Sequence, residues 1–418
     1  MKICLIGNMN NNHYVMAKML RKRGIDAYLI LYDNEYKYFL PEHEDTELKD
    51  NYPDWIKRVH WGSARSFFLT KSSIVRDDLD NFDVYICCGY GPAFLQKAGI
   101  EKYIFLPYGG DLVYLPYPVE QLKSGGFIKG FLRIFHSPHL FFLSLLQKKA
   151  IQKSKAICIV LVDEYFIEPL KNLEICDKII QLGLSIDTEK FSSISVHSYL
   201  EGSKDENFRR ILSLKNKSKL IVFSPTRHFW TAESIRLDRI SNKANDVLIE
   251  GFANLPVDSD SLLILVEKGP DVIRSKKLIQ TLGIENRVIW VPEMPRENLI
   301  QYYLISDISV DQMVPLGYGS IALEVFALSK PLMTNIADNF EKISQRPLPP
   351  ILNISTADDI TNFFTDFIRD PEKYRIIGKN ARTWVEKYHG YGLIDDYIQL
   401  FHHISEGKDL NDFKKPDK

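Results

Sequence analysis

Asp311-Gln312-Met313-Val314-Pro315-Leu316-Gly317-Tyr318-Gly319-Ser320-Ile321-Ala322-Leu323-Glu324 reads as a loop that feeds the start of a helix. Two glycines flank Tyr318 just after Pro315, and a helical run from Ile321 to Leu328 follows. A helix start exposes unpaired N–H groups and the positive end of the helix dipole. It therefore suits a phosphate or sugar hydroxyls, and glycine lets a ligand approach the backbone closely. Glu324 stands one turn inside, where its carboxylate can take a diol such as a ribose. The same residues also spell an ordinary strand-loop-helix connection with a surface glutamate.

Upstream of this loop, strands and helices alternate. Leu220 to Ser224, Ser261 to Glu267, Arg287 to Val291 and Asp307 to Asp311 are expected as strands. Val247 to Asn254, Ser275 to Leu282 and Glu297 to Leu304 are expected as the helices between them. That order predicts a parallel sheet with its ligand at the carboxyl ends of the strands. Arg227 then follows a strand and Lys243 opens a helix, both on the rim that holds Gly317 and Gly319. Two cations facing backbone N–H groups suit a diphosphate and the charge that grows on it as it leaves. Taken singly, each is also an ordinary surface charge.

The amino-terminal half opens with the same grammar: strand Ile3 to Ile6, loop Gly7 to Asn12, helix Val15 to Arg23, strand Ile25 to Leu31. The loop Gly7-Asn8-Met9-Asn10-Asn11-Asn12-His13 has one glycine and four asparagines, which does not fit the G-x-G-x-x-G dinucleotide fingerprint. Asparagine tolerates left-handed backbone and donates amide hydrogen bonds. The loop, with Gly7, Asn10 and His13, is therefore either a polar lip over an inter-domain cleft or a solvated turn. Val84 to Cys88 and Tyr103 to Leu106 continue the sheet, and the second leads into Pro107-Tyr108-Gly109-Gly110-Asp111. Asp111 is a candidate general base or hydroxyl-orienting group on the acceptor side, or a cap for the next segment.

Residues 127–156 mix phenylalanines and leucines with only positive charges, among them Lys129, Arg133, Lys148, Lys149, Lys153 and Lys155. Such a segment is either an interfacial membrane helix or a pair of core helices with basic ends, divided at Pro138. The chain leaves the first sheet through Leu182 to Phe191, and a polar stretch runs on to about Lys219. The expected organisation is α/β: a Rossmann-like acceptor domain over 1–190 and a Rossmann-like donor domain over 191–388 facing it across a cleft. A helix and tail over 389–418 would pack back on the first domain.

A length of 418 residues, 45% hydrophobic and 26% charged, describes a soluble two-domain enzyme-like chain. The net charge of −1 argues against a nucleic-acid binder. The five cysteines show no metal spacing and follow cytosolic usage. The first residues enter a strand without a charged leader, and no apolar run approaches the roughly twenty residues that span a bilayer. A cytoplasmic location, at most peripheral on the inner face of a membrane, is expected.

With these residues in place, the chain resembles the retaining GT-B glycosyltransferases of family 4. Lys243-Ala244-Asn245-Asp246-Val247-Leu248-Ile249-Glu250-Gly251-Phe252 is similar to that family's Lys-Gly-x-Asp-x-Leu-x-x-Ala-Phe. Glu267 to Pro270 resembles its Gly-x-Gly-Pro strand end, and Asp307 to Pro331 its glycine-loop signature closing on Lys-Pro. Ile186 to Phe191 resembles its hinge phrase, and Asn380 to His389 its closing helix. The likeness is good over the carboxyl-terminal half and topological over the other. It implies that Arg227 and Lys243 bind the donor diphosphate, that Gly317, Tyr318, Gly319 and Ser320 contact phosphate and sugar, and that Glu324 holds the ribose. Three departures stand out. The family's other glutamate, eight residues earlier, would fall at 324 − 8 = 316, which is Leu316, as in a subset that lacks this acid. Tyr108 stands where many members have histidine before Gly-x-Asp, and the spacer of about fifteen residues between Arg227 and Lys243 is long.

The resemblance implies transfer of a sugar from a nucleotide-diphosphate donor to a hydroxyl, with retention, in making cell-surface polysaccharide, lipopolysaccharide or glycoconjugate. Arg227, Lys243 and Asp111 would carry the chemistry without a metal or other cofactor. The acceptor would be lipid-linked or a polysaccharide, and residues 127–156 would touch the membrane. A nucleotide-sugar epimerase on the same frame, or a non-catalytic nucleotide-sugar-binding scaffold, is the alternative.

Overall fold

The computed structural model describes residues 1–49, 51–117, 138–160, 164–192, 205–237, 241–315 and 317–413. The chain forms two compact units: Met1–Asp187 with His389–Lys418, and Thr188–Tyr388.

The first unit is built on β1 (Lys2–Ile6), β2 (Asp26–Tyr32), β3 (Ile56–Val59), β4 (Val84–Cys87), β5 (Tyr103–Phe105), β6 (Ala156–Cys158) and β7 (Ile179–Ile180). All pairings are parallel, in the order β3-β2-β1-β4-β5-β6-β7. Ile3 to Ile6 are wholly buried because helices cover both faces, which is why the run is continuously apolar. Four helices matter below: α1 (Asn12–Lys22), α2 (Ala64–Leu69), α3 (Ser72–Asp78) and α4 (Gly91–Ala98). They are followed by α5 (Gly110–Val113) and α6 (Pro138–Lys153). The terminal helix Tyr391–Ser405 joins this unit's core through Leu393, Tyr397, Leu400 and Phe401, and the Tyr397 hydroxyl donates to the Gly183 carbonyl at 2.9 Å.

Two local expectations change. α1 starts at Asn12 rather than Val15, because Asn10 and Asn11 take left-handed φ of 54° and 59° and Asn8 Oδ1 accepts the Tyr14 N–H at 2.9 Å. Pro138 divides nothing among the described residues: it stands first in α6, where its missing N–H costs no helix bond. The rest of the expected 127–156 segment, through residue 137, lies outside the described residues.

The second unit contains β8 (Leu220–Ser224), β9 (Ser261–Glu267), β10 (Val288–Pro292), β11 (Ile308–Val310), β12 (Leu332–Thr334) and β13 (Leu352–Asn353). These are parallel in the order β10-β9-β8-β11-β12-β13. Its helices include α7 (Asn245–Ala253), α8 (Val272–Thr281), α9 (Arg296–Ile305), α10 (Ser320–Ala327) and α11 (Pro371–His389). In both units the first and fourth strands lie side by side and the chain winds outward from them in opposite directions. The crevice at that reversal, beyond the carboxyl ends of the strands, is where such sheets take ligands. It falls between β1 and β4 in the first unit and between β8 and β11 in the second.

Candidate functional site

The β8/β11 reversal gathers three loops. The Lys243 N–H donates to the Phe229 carbonyl at 2.7 Å, and the Met313 N–H donates to the Lys243 carbonyl at 3.0 Å. Asn245, in the first turn of α7, accepts the Phe229 N–H at 3.0 Å and donates to Thr226 Oγ1 at 3.2 Å. The loop after β8, the start of α7 and the loop after β11 are thus stitched together.

Lys243 reaches into the opening loop. Its Nζ donates to Gln312 Oε1 at 2.5 Å, while Gln312 Nε2 donates to the Gly317 carbonyl at 2.8 Å. Asp311 is buried, and its burial raises its pKa. The nearby Lys243 charge and the N–H groups of Gln312 and Gly319 pull the other way. Asp311 and Gln312 therefore form the frame on which the glycine loop hangs, a role their sequence positions did not reveal.

Tyr318 turns its ring into an aromatic cluster, edge-on to Trp384 at 5.5 Å and 5.7 Å from Phe340. Burial pushes its phenol to about 12, against the pull of Arg346 beside it. The side chain anchors the loop, so what this stretch offers a ligand is backbone. Among the described residues no side chain caps α10, and a methyl group placed on Gly319 would meet no atom within 4 Å. Leu316 lies outside the described residues.

Arg227 is exposed and makes no hydrogen bond or ion pair among the described residues. Its loop is rigid all the same. Asp271, immediately before α8 and fully buried, accepts the N–H groups of Trp230 at 2.8 Å and Thr231 at 3.1 Å. It also accepts the hydroxyls of Thr231 and Ser234, each at 2.9 Å. Burial works to raise this carboxyl, but the donors overcome it and hold its pKa at about 2.

Glu324 is only 3% exposed and forms an ion pair with Arg296, the first residue of α9. Burial, and next the Glu324 carboxylate, push the Tyr303 phenol well up. Glu324 is thus an inward-facing, charge-compensated group rather than a surface glutamate. Arg296 was not singled out from the sequence, where it is simply a cation at a helix start 28 residues away.

The β1/β4 reversal in the first unit is of another kind. Gly7 and His13 are buried, and of the proposed lip only Asn10 is exposed. The loop is therefore not a solvated turn. Asn8 and Asn11 turn inward and donate to the carbonyls of Phe39 at 2.6 Å and Tyr38 at 3.2 Å. His13 Nδ1 lies 2.8 Å from the Gly7 carbonyl, and burial lowers the imidazole to about 4, so it is neutral. Asp111 is buried and accepts the N–H groups of Gly89 at 3.0 Å and Tyr108 at 2.8 Å. Burial raises its carboxyl to about 6 despite those donors. The carboxylate ties the loops after β4 and β5 together. Glu35, unremarked in the sequence, accepts the Asn8 N–H at 2.9 Å and is raised by burial to about 7. A cavity of about 280 Å³ lined by Lys153, Lys155, Asp177, Lys178 and Asp409 opens where β6 and β7 begin, the edge of the sheet opposite the reversal.

Two parallel, doubly wound units, one with a glycine loop and lysine at its reversal, define the GT-B class of α/β protein. Residues 235–384 match the family described as Glycosyl transferases group 1, in line with the motifs in that segment. The N-acetyl-alpha-D-glucosaminyl L-malate synthase of Bacillus anthracis is 21% identical over 159 residues, which span 38% of this chain and 41% of that protein. Among solved structures, Anabaena HepE in complex with UDP and glucose superposes with a TM-score of 0.63 at 15% identity, covering 96% of this chain and 98% of that one. WaaG, a glycosyltransferase involved in lipopolysaccharide biosynthesis, does so with a TM-score of 0.59 at 13% identity, covering 96% and 99%. At such identities the likeness is one of fold.

Proposed function

We propose that the protein transfers a sugar from a nucleoside-diphosphate donor to a hydroxyl acceptor, with retention at the anomeric carbon. The reading is carried by one observation: Lys243, Gln312 and Gly317 are hydrogen-bonded in series at the β8/β11 reversal, beside the uncapped start of α10. Lys243 and Arg227 would hold the diphosphate and stabilise its charge as the bond to the sugar breaks. The backbone of Gly317, Tyr318, Gly319 and Ser320 would meet phosphate and sugar, and Glu324 the ribose. With cations and a helix start serving the phosphates, no metal is needed. Asp111, at the carboxyl end of the first sheet, would orient the acceptor or take its proton. HepE was crystallised with UDP and glucose, and WaaG takes part in lipopolysaccharide biosynthesis, which favours a uridine nucleotide donor and a cell-surface glycan product. The acceptor is then lipid-linked or a polysaccharide, met at the inner face of a membrane. Leu316, in place of a second glutamate, would put the chain in the subset without that acid.

The test is thermal unfolding against a panel of nucleotide sugars, followed by turnover with and without an acceptor in the presence of EDTA. One donor should raise Tm, and turnover should need the acceptor and ignore the chelator. Silence across the panel would overturn the reading, and donor turnover without an acceptor would favour an epimerase or hydrolase.

A further inference from the structure

α6 has one face in the core and another in water. Leu143, Ser144, Gln147, Ala150 and Ile151 are buried, and Gln147 Nε2 donates to the Gly89 carbonyl at 2.8 Å. The residues at helical spacing on the other side, His139, Phe142, Leu145, Leu146, Lys149 and Lys153, are all exposed. An exposed helix face is ordinarily polar. This one is apolar through Leu146 and cationic beyond it, and residues 138–155 include no Asp or Glu.

The neighbouring elements extend the same surface. The Phe68 ring of α2 lies 6.5 Å from the His139 ring, and Leu69 beside it is 77% exposed. Lys71 and the exposed Ile74 follow at the start of α3, and residues 63–76 again contain no acid. Phe68, Leu69, Ile74, Phe142, Leu145 and Leu146 are six of the twelve large apolar side chains exposed among the described residues, so half of them fall on two short stretches. Arg65, Lys71, Lys149 and Lys153 are exposed, and none makes a side-chain hydrogen bond or ion pair among the described residues. Among the described residues, acids lie only at the borders of this surface, Asp77 at the end of α3 and Asp177 and Asp409 near Lys153, and cations in excess beside an apolar patch match anionic headgroups lying over an acyl boundary. A protein partner of similar size would need acidic residues facing all four cations, whereas a bilayer supplies phosphates wherever they fall.

We propose that α2, the start of α3 and the outer face of α6 dock the protein on an anionic lipid bilayer. Phe68, Leu69, Phe142 and Leu146 enter the headgroup boundary while Lys149 and Lys153 meet lipid phosphates. The surface deepens the reading of a membrane-linked acceptor and rests on it for its purpose, but lipid binding is measured without any sugar.

The experiment floats the full chain with vesicles of phosphatidylcholine alone and of equal parts phosphatidylcholine and phosphatidylglycerol. Binding is expected to the mixed vesicles only and to fall with added salt. Lys149→Glu with Lys153→Glu should weaken it at least about twentyfold, from roughly fivefold per lysine. Phe142→Ser with Leu146→Ser should weaken it by roughly tenfold per side chain. Ile273→Ser, at an apolar residue 81% exposed in the second unit, should leave it unchanged. The variants should keep the wild-type Tm and its rise with the donor found above, which shows them folded. Indifference of the wild type to mixed vesicles, or variants that float like it, would overturn the proposal. So would a lipid-free dimer that the same substitutions dissolve, because the face would then belong to a second copy. If the docking variants lose vesicles while no nucleotide sugar stabilises any form, the docking stands and the transfer reading fails.

Discussion

The two sheet reversals share a topology and differ in their chemistry. In the second unit a buried frame of Thr226, Asn245, Asp311 and Gln312 carries open groups: Arg227 is exposed, Lys243 is half-buried, and Gly319 has no described atom where a side chain would be. In the first unit the reversal is closed. A methyl group on Gly7 would lie 2.9 Å from Cys88 Sγ, and the titratable groups there, His13, Asp111 and Glu35, are all shifted by burial toward their neutral forms. One crevice presents cations and backbone N–H groups, and the other presents buried groups whose charged forms are disfavoured. Topology decides where a ligand can sit, and desolvation decides which ligand that is.

The strongest way to break this contrast is to remove what holds the open loop in shape. Asp271→Ala strands the N–H groups of Trp230 and Thr231 and the hydroxyls of Thr231 and Ser234, and should cost about 3–5 kcal/mol in denaturant unfolding. Because its folded pKa of about 2 lies below the unfolded value of roughly 3.9, its contribution is complete above pH ~4 and fades as pH falls through 2. Asp271→Asn should flatten that acid limb. An unchanged limb would mean that the carboxylate does not hold the loop.

Next come the side chains and the glycine that face the open crevice, Lys243 among them although it also bonds Gln312. Lys243→Ala should lower kcat/KM by roughly 10²–10³, about 2.7–4 kcal/mol. Arg227→Ala strands no partner among the described residues, and Gly319, at φ −122°, needs no glycine for its backbone. Arg227→Ala and Gly319→Ala should therefore each keep stability within about 0.5 kcal/mol while donor binding falls roughly tenfold or more, measured by titration calorimetry. Unaltered donor affinity in both would make the open crevice an accident of packing.

The closed crevice is sharpened by pH. With Asp111 at about 6 in the fold and roughly 3.9 unfolded, the folded state holds this proton more tightly. Its contribution is therefore complete below pH ~4 and is lost as pH rises through 6, on the order of 3 kcal/mol at most. Tm measured from pH 4 to 7 should slope downward more steeply in the wild type than in Asp111→Asn. If Asp111 is the base, kcat/KM should also fall below pH ~6 in the wild type, and the variant should lack that limb.

How much of this was legible follows from sequence distance. β8 and β9 appear at their expected residues because each is an apolar run bounded by turns. β3, with Lys57 and Arg58 at its centre, and the two-residue β13 have no such run and exist only through their sheet partners. Lys243 and the glycine loop could be placed on one rim because βα alternation makes the sheet parallel, which puts the carboxyl ends of all its strands on one edge. The bonds that fix them could not, since Gln312 is 69 residues from Lys243 and Glu324 is 28 from Arg296. The asparagine loop shows the left-handed backbone and the amide donors expected of it, but the solvated-turn alternative fails because polarity does not imply exposure. Asn8 and Asn11, themselves buried, spend their amides on the half-buried carbonyls of Phe39 and Tyr38.

The smallest effect tests whether the open crevice carries strain. Ala244, immediately before α7 and between Lys243 and Asn245, sits at φ 45°, ψ 50°. A Cβ costs roughly 1–2 kcal/mol in that left-handed region. The geometry persists because the N–H and carbonyl of Lys243 and the side chain of Asn245 are bonded on either side of it. Ala244→Gly should relieve the clash and return part of the gain as added freedom in the unfolded chain, for a net stabilisation of about 0.5–1 kcal/mol. Donor affinity should not change, because the bonds that aim Lys243 are made by its neighbours. A gain in stability with weaker donor binding would mean instead that the strained alanine itself presses Lys243 toward the phosphates.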